Sequence, residues 1–217
     1  MVSSSQSHMR RMYYHLRWES MSDGSRTQPK HERMSFEAYL TLVEQDVEHA
    51  YEYLDGRVYM MTGGSPDHSI IGSNLNGLLQ AFLRGRRCIV YTSDVYVQLS
   101  EQYRVCPDVT VSCDPRDRGA QEAIRYPCLV AEVLSPTTET RDRGQKSLQY
   151  RACPSIQEYL LISSEFPLVE VFRREKQGFW SLYTLGLDDT IELINLDLRF
   201  PVAELYQNTS LLEEANE

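Results

Sequence analysis

At 217 residues, with 41% hydrophobic and 24% charged side chains, the chain suits one soluble globular domain with a sizeable core. No apolar run approaches the ~20 residues needed to span a bilayer, and no apolar segment follows the basic N-terminus. A membrane partner and a secretory signal are therefore not expected. The net charge of −9 argues against a purely electrostatic nucleic-acid binder, because phosphate contacts need Lys and Arg.

Residues 1–33 are polar and Ser-rich, with six Lys/Arg against three acids, which leaves −12 on the remainder of the chain. They are expected to form a disordered basic tail, with a nucleic-acid-binding arm as the sharper alternative. The domain proper is expected over 34–207 and an acidic tail over 208–217. Ser35 can cap a helix running to about Glu44. Residues 51–61 then read as two short strands around Asp55-Gly56, a dipeptide that favours a hairpin. Glu52 lies in the first of them, as a solvated strand residue, a cross-strand partner for Arg57, or a site acid.

Pro66 suits the first turn of a second helix, whose stripe Ile71, Leu75, Leu78, Leu79, Phe82 and Leu83 ends near Gly85. His68 falls in its first turn, where a surface or capping role competes with catalysis. Arg84, Arg86 and Arg87 make a basic cluster at the far end, a solvated helix end or a phosphate grip. Strands are expected at 88–92 and 95–99.

Two apolar runs follow, each carrying one acid. Val105, Val109 and Val111 flank Asp108, and residues 128–134 surround Glu132. Both read as buried strands, the first as one strand over 105–111, and a long polar loop joins them. A carboxylate on a buried strand is costly unless something pairs it. A divalent metal held between neighbouring strands would do so; an Arg or a helix N-terminus beside each acid would do so equally well.

Thr137 or Thr138 can cap a helix reaching Cys153-Pro154. Asp142, Lys146 and Tyr150 recur in it every fourth residue and so share one face. That face is either a surface ion pair or a lid over the strand ends bearing Asp108 and Glu132, with Gln145 able to touch substrate. A strand at 158–162, a hairpin of 168–173 with 179–185, and strands at 191–195 and 198–202 complete the pattern. The five cysteines (Cys88, Cys106, Cys113, Cys128 and Cys153) are odd in number and lack Cys-x-x-Cys. They are expected to be small buried hydrophobes in a reducing cytoplasm, forming neither a zinc site nor a disulfide framework.

The order of these features resembles a known family. Residues 51–58 (YEYLDGRV), His68, 105–111 around Pro107-Asp108, 130–138 (VAEVLSPTT), Asp142, Lys146 and Tyr150 look like the Uma-two-type restriction-endonuclease-like proteins of the PD-(D/E)XK nuclease superfamily. The likeness spans roughly 34–206. It implies an α/β fold with a restriction-endonuclease-like mixed central sheet, flanking helices and a β-rich C-terminal part. It implies Mg2+ (or Mn2+) held by Asp108, Glu132 and the backbone carbonyl of Val133, and DNA as the substrate, with a homodimer left open. The superfamily lysine two residues after Glu132 is replaced here by Leu134, and Lys146 is the expected substitute. Glu52 would hold Lys146 or a second ion, with His68, Asp142, Gln145 and Tyr150 in supporting roles. Two other classes stay beside the endonuclease: a non-catalytic nucleic-acid or protein binding module keeping the fold, and a metal enzyme acting on a small phosphoester.

Overall fold

The structure, a computed structural model, describes residues 33–214; the basic segment 1–32 and the last three residues lie outside the described residues. Ser35 accepts a hydrogen bond from the Ala38 N–H and starts helix α1, Phe36–Gln45, as its cap position suggests. Strands β1 (Tyr51–Leu54) and β2 (Arg57–Met60) form the expected hairpin. Asp55 and Gly56 turn it with φ of 49° and 81°, left-handed values that a type I′ turn requires. Helix α2 (Pro66–Leu83) has Ser65 as its cap, and its Ile71, Leu75, Leu79 and Leu83 are buried at helical spacing. Phe82, expected in that stripe, is 46% exposed.

Strands β3 (Ile89–Thr92), β4 (Val97–Ser100), β5 (Tyr103–Val105) and β6 (Val109–Ser112) follow, then the central strand β7 (Leu129–Leu134). The continuous strand expected over 105–111 is thus two strands. β5 pairs with β1 and β4 in a four-stranded sheet, whereas β6 lies between β3 and β7 in a six-stranded one. Cys106-Pro107-Asp108 crosses between the sheets. Pro107 has no N–H to give a ladder, so the chain leaves one sheet there and joins the next. Asp108 therefore sits at a junction rather than within a strand.

Beyond β7 the chain turns into a helix of three parts: α3 (Glu139–Arg141), a π-helical turn (Asp142–Lys146) and α4 (Ser147–Ala152). The expected threonine cap is absent. The Thr137 and Thr138 hydroxyls instead bond the Ser135 hydroxyl, at 3.1 and 3.0 Å. Strands β8 (Glu158–Ser163), β9 (Leu168–Arg174) and β10 (Trp180–Gly186) extend the six-stranded sheet, in the order β10-β9-β8-β7-β6-β3. β7 and β8 run parallel and the other pairs antiparallel, so the sheet is mixed. A hairpin of β11 (Thr190–Leu193) and β12 (Leu198–Pro201) and a short helix α5 (Ser210–Glu214) follow. The acidic tail expected from 208 is thus partly built into the fold: Thr209 is buried, and Ser210 bonds Asp67 at the start of α2.

Alternation along β7 divides the core. Leu129, Ala131 and Val133 pack with α2, while Val130 and Leu134 join Tyr150, Ile156 and Tyr159 on the other face. Glu132 has the parity of Val130 and Leu134, which aims it beneath the π turn and α4. Among the described residues, no helix is long and apolar enough to cross a membrane.

One cysteine expectation is corrected. Cys88 and Cys113 flank the paired residues Ile89 and Ser112 of β3 and β6, and a disulfide joins them. Strand pairing brings together thiols 25 positions apart, which spacing alone could not show. Cys106, Cys128 and Cys153 are free, and free thiols no longer argue for a reducing compartment at the bridged pair.

Candidate active site

At the end of the large sheet where β7 leaves for the π turn, Glu52, His68, Asp108, Glu132, Asp142 and Lys146 line one cavity of about 300 Å³. Five elements deliver them. β1 gives Glu52, the first turn of α2 gives His68, the crossing between sheets gives Asp108, β7 gives Glu132, and the π turn gives Asp142 and Lys146. A π turn carries one more residue per hydrogen-bonded ring than an α turn, and such turns recur at functional sites.

The Lys146 ammonium lies at the centre, 2.6 Å from Glu132 Oε1, 2.9 Å from Glu52 Oε1 and 3.2 Å from Asp142 Oδ1, and its side chain is only 4% exposed. A surface ion pair between Asp142 and Lys146 is thereby excluded. Burial alone would lower the lysine's proton affinity, but the surrounding carboxylates outweigh it and hold the ammonium charged well above the ordinary range. Glu52 is buried and faces Tyr59 across the hairpin, so it is neither a solvated residue nor a partner of Arg57. Its Oε1 also accepts the Cys106 N–H at 3.0 Å, tying β1 to the segment that carries Asp108.

Glu132 accepts the Tyr150 hydroxyl on Oε1 at 2.5 Å, on the same oxygen that meets Lys146. Tyr159 donates to the Asp142 carbonyl at 3.0 Å and braces the turn from below. Asp108 accepts the Val133 N–H on Oδ2 at 2.7 Å, taking the place of the ladder that ends at the Val109–Ala131 pair. His68 Nε2 stands 3.6 Å from that same Oδ2. Gly64 permits this approach: a Cβ there would lie 2.6 Å from the His68 ring. Gln145 turns away and points at the Tyr103 hydroxyl, 3.5 Å off. The Arg84–Arg87 cluster begins at the other end of α2, about 24 Å along the axis from His68 at 1.5 Å per residue over the 16 positions to Arg84.

These contacts leave an asymmetry. Asp108, Glu132 and Glu52 each use one carboxylate oxygen for all their protein partners, and the second oxygen of each has no hydrogen bond among the described residues. Asp142 Oδ1 is buried with only its ion pair to Lys146 and no hydrogen bond. Four carboxylates therefore share the cavity with one ammonium, and three of them pair with it. Burial lifts the Glu132 carboxyl well above the usual range, with Asp142, Asp108 and Glu52 adding to the rise and Lys146 opposing it. Burial raises Asp108 as well, against the pull of His68 and the Val133 N–H.

Such a donor set fits a hard divalent cation: oxygen ligands, surplus negative charge and a polar cavity roomy enough for water. Among the described residues, no group of three or more His, Cys, Asp or Glu side chains forms a ready-made metal cage. Two carboxylates plus water would suffice for Mg2+ or Mn2+. Asp108, Glu132 and Glu52 all line the cavity with one oxygen left unpartnered, and Asp108 and Glu132 are the two that the family resemblance assigns to the ion. Sequence reasoning overlooked Arg141, which lines the cavity and lies with its guanidinium 4.4 Å from the centre of the Tyr59 ring. It falls one position off the four-residue repeat, and nothing in the sequence tied it to β2.

Comparison with known proteins agrees with this architecture. A family described as "Uma2: Putative restriction endonuclease" matches residues 36–203. The Synechocystis protein slr1290 is 41% identical over 176 residues, covering 81% of this chain and 92% of its own, and sll1609 of the same organism is 34% identical over 151 residues, covering 68% and 84%. A solved structure described as a "putative nuclease belonging to DUF820" from Anabaena variabilis has the same fold, with a TM-score of 0.66 at 17% identity over 80% of this chain and 97% of that one. The mixed sheet and the match over most of the chain agree: this protein belongs to the Uma2 restriction-endonuclease-like family.

Proposed function

We propose that the protein is a metal-dependent endonuclease that hydrolyses phosphodiester bonds in DNA. The observation that carries this reading is the pair of unpartnered oxygens on Asp108 and Glu132, in a cavity shared with a buried, charged Lys146.

Asp108 and Glu132 would hold Mg2+ or Mn2+ through those oxygens, with the Val133 carbonyl as a further ligand, since the Val133 N–H is already engaged by Asp108. A bound divalent ion supplies charge to polarise the phosphate and to make water a better nucleophile. The protein's own groups then have separate tasks. Tyr150 would hold Glu132 by occupying one oxygen, leaving the other without a protein partner. His68 and the Val133 N–H do the same for Asp108. Glu52 and Asp142 keep Lys146 charged and anchored. Lys146 presents positive charge where negative charge grows on the phosphate oxygens in the transition state.

A magnesium-dependent cleavage assay on mixed DNA substrates tests this, with Asp108→Ala as the control. Cleavage by the wild type that stops in EDTA and in the variant is the expected result; none from the wild type on any substrate refutes the reading. One observation favours a second reading, a non-catalytic module: the Lys146 ammonium is shared among three carboxylates. That reading predicts cation binding without cleavage.

A further inference from the structure

The cavity is rich in acid, yet the proposed substrate is a polyanion, so some group must receive the strand. Three cations stand in the segment between Glu139 and Lys146, and two are occupied. Arg143 pairs with Glu139 at 2.6 Å and with Glu170, and Lys146 is enclosed by carboxylates. Arg141 has no carboxylate partner among the described residues. It is partly exposed, lines the cavity and has its guanidinium carbon over the Tyr59 ring, 4.4 Å from the centre. Stacking of this kind orients the guanidinium while leaving its N–H edge open, and the planar fork of donors matches a phosphate in two-point contact. Two features of the same rim fit a nucleotide better than a bare anion. Met60, next to Tyr59 on β2, is 50% exposed and lines the cavity, which offers an apolar surface to a sugar or base. Ser135, Thr137 and Thr138 line it too, with hydroxyls bonded to one another rather than to the backbone.

We infer that Arg141, held by Tyr59, is a substrate-binding residue that grips a phosphate of the DNA strand flanking the one cleaved. This inference rests on the endonuclease reading. It explains how an acidic pocket admits a polyanion: the strand is anchored at the rim by a cation that the acids have not neutralised. Tyr59 acts through Arg141 and is a positioning residue.

The test is binding of a labelled 20-mer, duplex and single-stranded, to the full chain, read by fluorescence anisotropy over a range of salt. Ca2+ replaces Mg2+ so that the probe survives. Neutralising one phosphate contributes a slope of about −0.9 to log K against log salt for duplex and about −0.7 for single strands. Arg141→Ala is expected to weaken binding at least about tenfold and to flatten the slope by about that one contact. Arg141→Lys should keep the slope but bind more weakly, because an ammonium neither forks nor stacks as a guanidinium does. Tyr59→Leu should likewise keep the slope and lose affinity. In turnover, the Arg141→Ala loss should fall mainly on KM, whereas loss of Lys146 falls on kcat. Arg141→Gln, close in size, serves as the second variant if Arg141→Ala does not fold. Wild-type affinity and slope in either folded variant overturn the assignment alone. Absence of DNA binding by the wild type overturns the endonuclease reading and this inference together.

Discussion

Two buried glutamates on the same pair of strands invite comparison. Glu132 on β7 and Glu158 on β8 are 3% and 1% exposed. Burial raises the proton affinity of both. Their partners differ. Both oxygens of Glu158 are engaged: Oε1 by Arg173 Nε at 3.0 Å and the Ile194 N–H at 3.1 Å, and Oε2 by the Asn195 N–H at 3.3 Å. It joins β8 and β9 to the turn after β11, and nothing more is asked of it. Glu132 has both its partners on Oε1 and shares a cavity with three other carboxylates. Burial alone does not tell a structural acid from a ligand; on the proposed reading, the unpartnered oxygen of Glu132 makes the difference.

Activity should break this comparison most sharply. Lys146→Ala and Glu132→Gln are expected to lower kcat by at least about 10²–10³-fold, the scale of losing a transition-state donor. Glu158→Gln, wherever it remains folded, should stay within a few-fold of wild type in the same DNA cleavage assay.

Stability should separate the two glutamates in the opposite direction. Removing one partner of a buried ion pair costs about 3–5 kcal/mol, so Glu158→Gln should shift the urea midpoint strongly downward. Glu132→Gln in metal-free buffer removes one of four crowded carboxylates while Glu52 and Asp142 still balance Lys146. Its midpoint should hold or rise, and Asp108→Asn should behave alike.

Adding the cation gives a smaller, diagnostic effect. At 100 times its Kd, a ligand that binds only the folded state stabilises it by about 2.7 kcal/mol. Mg2+ should raise the stability of wild type and of Glu158→Gln in this way, and leave Glu132→Gln unmoved in thermal unfolding.

The smallest effect is a limb in the pH profile. Lys146 has its folded proton affinity raised, so its contribution is complete below the unfolded value of about 10.4 and is lost as pH rises through the folded value. Stability should therefore be insensitive to this group at neutral pH and fall in alkali, and Lys146→Met should remove that alkaline limb in urea titrations at stepped pH.

Much of the fold was legible because local chemistry and tertiary structure agree. Ser35, Pro66 and Asp55-Gly56 mark two helix starts and a hairpin by capping, ring geometry and left-handed φ, and each mark is where the structure has it. The junction at Pro107 was hidden, since Val105 and Val109 look like one apolar run although they belong to different sheets. The π turn was hidden too: spacing puts Asp142, Lys146 and Tyr150 on one face of any regular helix and says nothing of a widened turn. At the site, periodicity left Glu52 open, because a strand residue's burial depends on what covers its second face. The family resemblance brought Glu52, Asp108, Glu132 and Lys146 together, and the structure gathers all four around one cavity. Glu158 drew no notice, since one acid beginning an apolar strand carries no signal of the backbone N–H groups it will meet 36 and 37 positions later.

The central claim is that the open oxygens of Asp108 and Glu132 hold a divalent cation, and Mn2+ titration followed by electron paramagnetic resonance tests it directly. Wild type and Glu158→Gln should bind Mn2+ with the same Kd, while Asp108→Asn and Glu132→Gln should each weaken it by more than about tenfold. Undiminished Mn2+ binding in both of the latter variants would contradict the account.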